Sequence, residues 1–427
     1  MKLRDYQERI SSTAAAYLQA MGICYLSMEC RTGKTATALA AAAKYGATAV
    51  LFITKLKAIA SIEADYKAMQ PPFQLRVTNY ESAHKASDYS ADLVILDEAH
   101  SVGAFPKPSK RQQVCRQLAM GRAVMFLSGT PSPEGYSQLY HQMQVSDNSP
   151  WRAHSTFYKW ARAGYVEVKQ RMVNGRLLND YSHADGGRIM AELSPFLLSY
   201  SQEQAGFEAT IAEHDLQIQM GQRTAEAIHA LQRDRVIQLA DGSTIVADTP
   251  ASLLNKLHQL SGGTAIDENG QRHIIDTSKA EAIQQRFAGM KIAIFYCYQA
   301  EGEMLRQLFD QNTDSPEIFQ QAGAGMVFID QVRRAREGTR LDTAEAIVFY
   351  STEYSYLSYE QARQRGMSKE RQQQADVYYC VGSAGIDADI LKAVRNKQDF
   401  TLAYYSREQR GKQHKTPRAA AHGENLK

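Results

Sequence analysis

Residues 23–35 read Ile-Cys-Tyr-Leu-Ser-Met-Glu-Cys-Arg-Thr-Gly-Lys-Thr, and an alanine-rich run, Ala36–Lys44, follows. Ile23–Ser27 has the composition of a buried strand. Ala36–Lys44 reads as a helix, with Gly46 placed to end it. Glycine, lysine and threonine between a strand and a helix start have a chemical meaning. Backbone N–H groups at a helix N-terminus attract phosphate, an ammonium offsets the charge of the outer phosphates, and a hydroxyl ligates Mg2+. Gly33, Lys34 and Thr35 can supply these three groups. The full phosphate-loop pattern would have a further glycine at position 28, where this chain has Met28.

Working outward, the runs Val50–Thr54, Leu93–Leu96 and Val124–Leu127 also read as strands. Strands alternating with helices predict an α/β fold with a parallel sheet covered on both faces. Leu93-Val94-Ile95-Leu96-Asp97-Glu98-Ala99-His100 puts an acidic pair at the C-terminal end of a buried strand, where open α/β sheets bind ligands. There Asp97 would hold Mg2+ through its water shell, and Glu98 would orient and deprotonate an attacking water. Phe126-Leu127-Ser128-Gly129-Thr130-Pro131 ends another strand, with short hydroxyls able to hydrogen-bond that pair. After residue 280 the same texture returns, with Ile292–Tyr296, Met326–Ile329, Ile347–Tyr350 and Val377–Val381 as strands. The middle differs: it holds the turn dipeptides Asn174-Gly175, Asp241-Gly242 and Asn269-Gly270, with helical stretches Thr224–Asp234 and Ser252–Leu260 among them. The expected organisation is an N-terminal lobe over 1–148, an α+β bridging region over 149–280, a C-terminal lobe over 281–405 and a flexible basic tail over 406–427.

Composition narrows the class. A chain of 427 residues with 44% hydrophobic residues is long enough for two or three cores. Its 22% charged and 9% aromatic content excludes a wholly disordered chain. No apolar run approaches the ~18 residues of a membrane span, and the opening Met1–Gln7 lacks the apolar core of a signal peptide, so a cytoplasmic protein is expected. Cys24, Cys30, Cys115, Cys297 and Cys380 are odd in number and show no CxxC spacing, which predicts reduced thiols rather than a zinc site. Net charge is +3, yet Ser406–Lys427 alone carries six Lys/Arg against two Asp/Glu. The body before it therefore balances near zero, and a nucleic-acid surface there needs local clustering.

Taken together, these segments resemble the superfamily-two helicases and translocases over most of the chain, which implies two RecA-like lobes, ATP and Mg2+. Leu3-Arg4-Asp5-Tyr6-Gln7 is similar to the family's opening L-R-x-Y-Q, whose glutamine, here Gln7, reads the adenine edge. Glu29, with Arg31, Thr32, Gly33, Lys34 and Thr35, resembles the Swi/Snf-type phosphate loop, which also lacks the early glycine. Asp97-Glu98-Ala99-His100 is a DEAH box, and Ser128-Gly129-Thr130 resembles the coupling motif that relays the state of the γ-phosphate. Thr54 and Lys55, within Val50–Ala58, and Thr78, within Val77–Glu81, match segments that grip nucleic-acid phosphates.

In the second lobe, Arg336–Ala344 resembles the fifth motif, which implies nucleotide contacts from Gly338 and Arg340 and phosphate contacts from Arg333, Arg334 and Arg336. Tyr359–Arg365 resembles the sixth, with Gln361 in the coupling position and Arg365 on the first of two expected arginines. Gln364 stands where glycine is usual and Ser368 where the second arginine is expected. The resemblance therefore leaves the arginine finger to Arg371, Arg363 or Arg340 without choosing among them. The compact chain resembles motors of bacteriophages or mobile elements. The function implied is an ATP-driven translocase or helicase on DNA. An RNA helicase, or an ATP-gated DNA clamp that does not move, stands as the alternative.

Overall fold

The computed structural model describes residues 2–133, 135–173, 176–206, 211–239, 241–335, 341–366 and 374–396. The described residues form two compact units, one ending at residue 206 and one beginning at Ile211. The fold is α/β, with a six-stranded, wholly parallel sheet in each unit.

The first unit contains β1 (Ile23–Met28), β2 (Ala49–Thr54), β3 (Gln74–Asn79), β4 (Leu93–Asp97), β5 (Ala123–Leu127), an antiparallel hairpin of β6 (Lys169–Val173) and β7 (Arg176–Asp180), and β8 (Leu197–Tyr200). Its sheet runs in the order β3-β2-β4-β5-β1-β8. Side chains alternate across each strand, so β4 sends Val94 and Leu96 into one core and Leu93 and Ile95 into the other. Both faces are covered, which is why these strands read as unbroken apolar runs. In register, Asp97 lies opposite Leu127 and Leu26 lies opposite Leu127 from the other side, so the C-terminal ends of β4, β5 and β1 meet along one edge.

The stretch expected as one bridging region, 149–280, is instead divided between the units. Trp151, Phe157, Trp160, Ile189 and Leu193 complete the core that holds Val94 and Phe126, and β8 pairs with β1. The physical reason is burial. Trp151 and Trp160 are fully buried with ring centroids 5.2 Å apart, and the Trp151 indole donates to Glu192 at 2.7 Å. This aromatic layer follows no strand–helix alternation, so nothing in its period assigns it to the sheet below.

The second unit opens with β9 (Ile211–Ile218) and continues through the hairpins β10 (Val236–Gln238) with β11 (Thr244–Val246) and β12 (Thr264–Ile266) with β13 (Arg272–Ile274). Then follow β14 (Ile292–Tyr296), β15 (Asn312–Thr313), β16 (Val327–Gln331), β17 (Ala346–Phe349) and β18 (Ala375–Gly382). The sheet order is β15-β16-β14-β17-β18-β9. The two short hairpins and the helices Gln222–Asp234 and Pro250–Ser261 form a module with its own core, closed by Ile390 and Ala393 of the last described helix, Asp387–Arg395, and by Ile386 just before it. Buried Lys279 fastens this region by donating to Asp387 Oδ2 at 2.9 Å and to the Ser261 carbonyl at 3.1 Å. The turns at Asp241-Gly242 and Asn269-Gly270 fall where expected, with Gly242 and Gly270 at φ 87° and 81°. Asn174-Gly175 lies outside the described residues, although the strands flanking it do pair. Among the described residues, no helix is long and apolar enough to cross a membrane.

Candidate active site

The loop after β1 turns into the helix Lys34–Tyr45 through Gly33, whose φ of 81° suits glycine. A Cβ at Gly33 would fall 2.0 Å from Gln7 Nε2 on the N-terminal helix Asp5–Met21, so any other residue there would also have to displace the Gln7 amide. Gln7 is buried; its amide donates to the carbonyls of Gly33 (3.3 Å) and Thr32 (3.5 Å), while its Oε1 accepts from Arg4 N at 2.9 Å. Tyr6 Oη also donates to the Thr32 carbonyl, at 2.8 Å. Thr32 folds back on the loop, its hydroxyl donating to the Glu29 carbonyl at 2.8 Å. Arg31 is held at φ 64°, an uncommon conformation for a side-chain-bearing residue.

Lys34 opens the helix facing the acidic pair. Burial works against its ammonium, but the Glu98 and Asp97 carboxylates outweigh that and hold its pKa above the ordinary lysine value. Asp97 is buried at the end of β4 and accepts from Thr54 Oγ1 at 2.9 Å, while its carbonyl accepts from Tyr80 Oη at 2.6 Å. Burial pushes its carboxyl up, more than Lys34 pulls it down, and neighbouring Glu98 adds to the rise. Glu98 sits at φ 50°, a left-handed position that is strained for glutamate and turns the chain sharply off the strand.

His100 joins the acidic pair to the next strand. Its Nδ1 lies 3.4 Å from Glu98 Oε2 and 3.3 Å from the buried Ser128 Oγ, which in turn accepts from Thr130 N at 3.1 Å. Behind them, Tyr25 Oη donates to Gln142 Oε1 (2.8 Å), and Gln142 Nε2 donates to the Pro131 carbonyl (2.7 Å), fixing the loop that carries Ser128, Gly129 and Thr130. Lys34, Asp97, Glu98, His100 and Ser128 are thus brought to one edge of the sheet.

Other expected residues stand elsewhere. Thr54 was expected to grip nucleic acid, but it is fully buried and its hydroxyl is spent on Asp97; it belongs to the acidic pair. Glu29 turns its carboxylate toward Gln202, whose backbone N–H donates to Oε2 at 2.8 Å. Lys55 and Thr78 are half-buried near the ends of β2 and β3.

In the second unit, Arg333 pairs with buried Glu353, and Arg334 lies 3.6 Å from Asp330. Gln361 is buried in the helix Tyr356–Arg363, and Arg365 follows on a single turn, its carbonyl accepting from Leu341 N at 3.2 Å. Arg363 is committed to Glu213 (2.7 Å) and Glu360 (2.8 Å), which weakens it as a free arginine finger. Arg336, Gly338, Arg340, Arg371 and the tail 406–427 lie outside the described residues. Tyr6, Tyr80 and Gln202 were missed as partners of this site. Tyr6 stood inside a recognised segment, whereas Gln202 carries no local signal.

The residues fit a nucleoside triphosphate with Mg2+. A glycine in the left-handed conformation, a helix N-terminus, a cation and a buried carboxylate converge on the loop. Thr35 and Asp97 would offer the metal two oxygens. Mg2+ in such sites takes its remaining ligands from water and phosphate, so it needs no cluster of three protein groups, and none occurs among the described residues.

At the level of fold, the class is α/β, with two units each built on a six-stranded parallel sheet. No protein-family model matches the sequence, and no curated protein matches it. Among solved structures, the chain is similar to the Sulfolobus solfataricus SWI2/SNF2 ATPase core domain, at 14% identity and a TM-score of 0.41, covering 93% of this chain and 89% of that one.

Proposed function

We propose that the chain is an ATPase that moves along nucleic acid, with duplex DNA as its track. The observation that carries this reading is the connected set Lys34–Asp97–Glu98–His100–Ser128 along one sheet edge, beside a glycine-capped helix start. Bound Mg2+–ATP would supply the phosphoanhydride bond and a further positive charge. Lys34 offsets negative charge on the outer phosphates. Asp97, oriented by Thr54, would hold the metal through its water shell, and Glu98 is placed to take the proton of the attacking water. His100 touches both Glu98 and Ser128, so a change at the carboxylate is felt by the loop after β5. The DNA preference rests on the Swi/Snf-like sequence of the phosphate loop and on the basic tail, Ser406–Lys427.

Displacement of a third strand from a DNA triplex tests movement. The full chain should release that strand only with hydrolysable ATP. ATP hydrolysis stimulated by duplex DNA without any strand release would instead make the protein an ATP-gated clamp.

A further inference from the structure

The phosphate loop is gripped from outside by the chain that leaves β8. Because β8 runs parallel to β1 with Tyr200 opposite Met28, the residues after it emerge beside the loop. Three hydrogen bonds follow: Glu29 N to the Tyr200 carbonyl (3.0 Å), Gln202 N to Glu29 Oε2 (2.8 Å) and Gln202 Nε2 to the Cys30 carbonyl (2.9 Å). Tyr200 also stacks on Tyr6 with centroids 4.7 Å apart and planes 20° from parallel, and Tyr6 holds the Thr32 carbonyl. The segment is itself closed: Ser201 N donates to Gln204 Oε1 (2.9 Å), Gln204 N to Ser201 Oγ (3.1 Å) and Tyr200 Oη to the Gln204 carbonyl (2.7 Å).

In a planar trans peptide, a carbonyl and the N–H of the next residue point opposite ways. Gln202 pins the carbonyl of Cys30, Tyr6 and Gln7 pin that of Thr32, and Gln7 pins that of Gly33. The N–H groups of Arg31, Gly33 and Lys34 therefore each point away from the carbonyl pinned before them. We infer that Gln202 is a positioning residue for the nucleotide phosphates, acting through the Cys30 peptide, and that Glu29 anchors this clamp instead of touching the nucleotide. The inference rests on the reading of the loop as a nucleotide site. Coupling of this kind is reciprocal, so nucleotide binding should in turn order residues 201–206.

The test compares the wild-type chain, Gln202→Leu, Tyr6→Phe and Lys34→Ala. Binding is followed with a fluorescent ADP and Mg2+, turnover at saturating ATP, and amide exchange over 201–206. Gln202→Leu keeps the side-chain volume and loses the donor; Tyr6→Phe keeps the stack and loses the hydroxyl. Each should weaken ADP binding about tenfold while kcat stays within twofold, and Gln202→Leu should abolish the ADP-dependent protection of 201–206 seen in wild type. Wild-type affinity and protection in both variants would overturn the clamp, as would a loss confined to kcat. If Lys34→Ala binds ADP as wild type does, or wild type does not bind it, the phosphate-site reading fails first and the clamp with it.

Discussion

Lys34, Asp97 and Glu98 show how three ionisable groups can be held together at a strand end, with Asp97 buried and its two neighbours partly so. The two carboxylates keep the lysine protonated, and the Thr54 hydroxyl satisfies one oxygen of Asp97. Lys34→Ala should abolish ATP hydrolysis, because phosphate charge would then lie uncompensated in the loop; phosphate release from the folded variant is the check. Thr54→Val should lower kcat several-fold through a misoriented Asp97 and leave DNA affinity unchanged. A weakened DNA affinity with normal kcat would return Thr54 to the nucleic-acid surface. At this scale much was legible. Gly33, Lys34, Asp97, Glu98, His100 and Ser128 announce themselves by type and spacing next to apolar strands. Thr54 was found but given the wrong neighbour, because a strand-end threonine looks the same whether it faces water or a carboxylate. Gln202 was not legible, since its partners, Glu29 and Cys30, lie more than 170 residues earlier in the chain.

Elements buried on both faces were legible, and edge elements were not. β14 matches its expected span, Ile292–Tyr296, and β4 differs from its own only by including Asp97. β8 has four residues, and β9 carries Glu213, His214 and Asp215, so neither edge strand has the apolar run that marks a strand. The helix Gln299–Leu308 makes a separate prediction. Glu301 near its start is fully buried, and its Oε2 accepts from Cys297 N (3.0 Å), Tyr298 N (3.0 Å) and Ser351 Oγ (2.7 Å). Gly262 makes room for the other oxygen, since a Cβ there would fall 1.9 Å from Oε1. Burial pushes the Glu301 carboxyl from 4.5 up to about 7, more than these hydrogen bonds lower it. A raised carboxyl binds its proton more tightly when folded, so its contribution to stability declines as pH rises from 4.5 to 7. The full decline is on the order of 3 kcal/mol. Glu301→Gln keeps an acceptor for the three donors and removes the titration. Urea unfolding at pH 5 and pH 8 should therefore show the variant gaining on wild type at the higher pH; an equal difference at both would mean that Glu301 is ionised throughout.

For the molecule as a whole, two α/β units were legible because strand–helix alternation occurs twice. Their border was not, because the aromatic layer around Trp151 and Trp160 contributes to the first core from beyond the last apolar strand run. The central claim is that this fold hydrolyses ATP and that nucleic acid drives it to do so. The most direct measurement is steady-state ATP hydrolysis by the full chain, wild type and Glu98→Gln, without nucleic acid and with duplex DNA, single-stranded DNA or single-stranded RNA. The predicted result is at least a tenfold rise for wild type with duplex DNA and a smaller rise with RNA. Glu98→Gln should still bind nucleotide and turn over orders of magnitude more slowly in every condition. Absence of hydrolysis by the folded wild type under all four conditions, or wild-type turnover in Glu98→Gln, would contradict it.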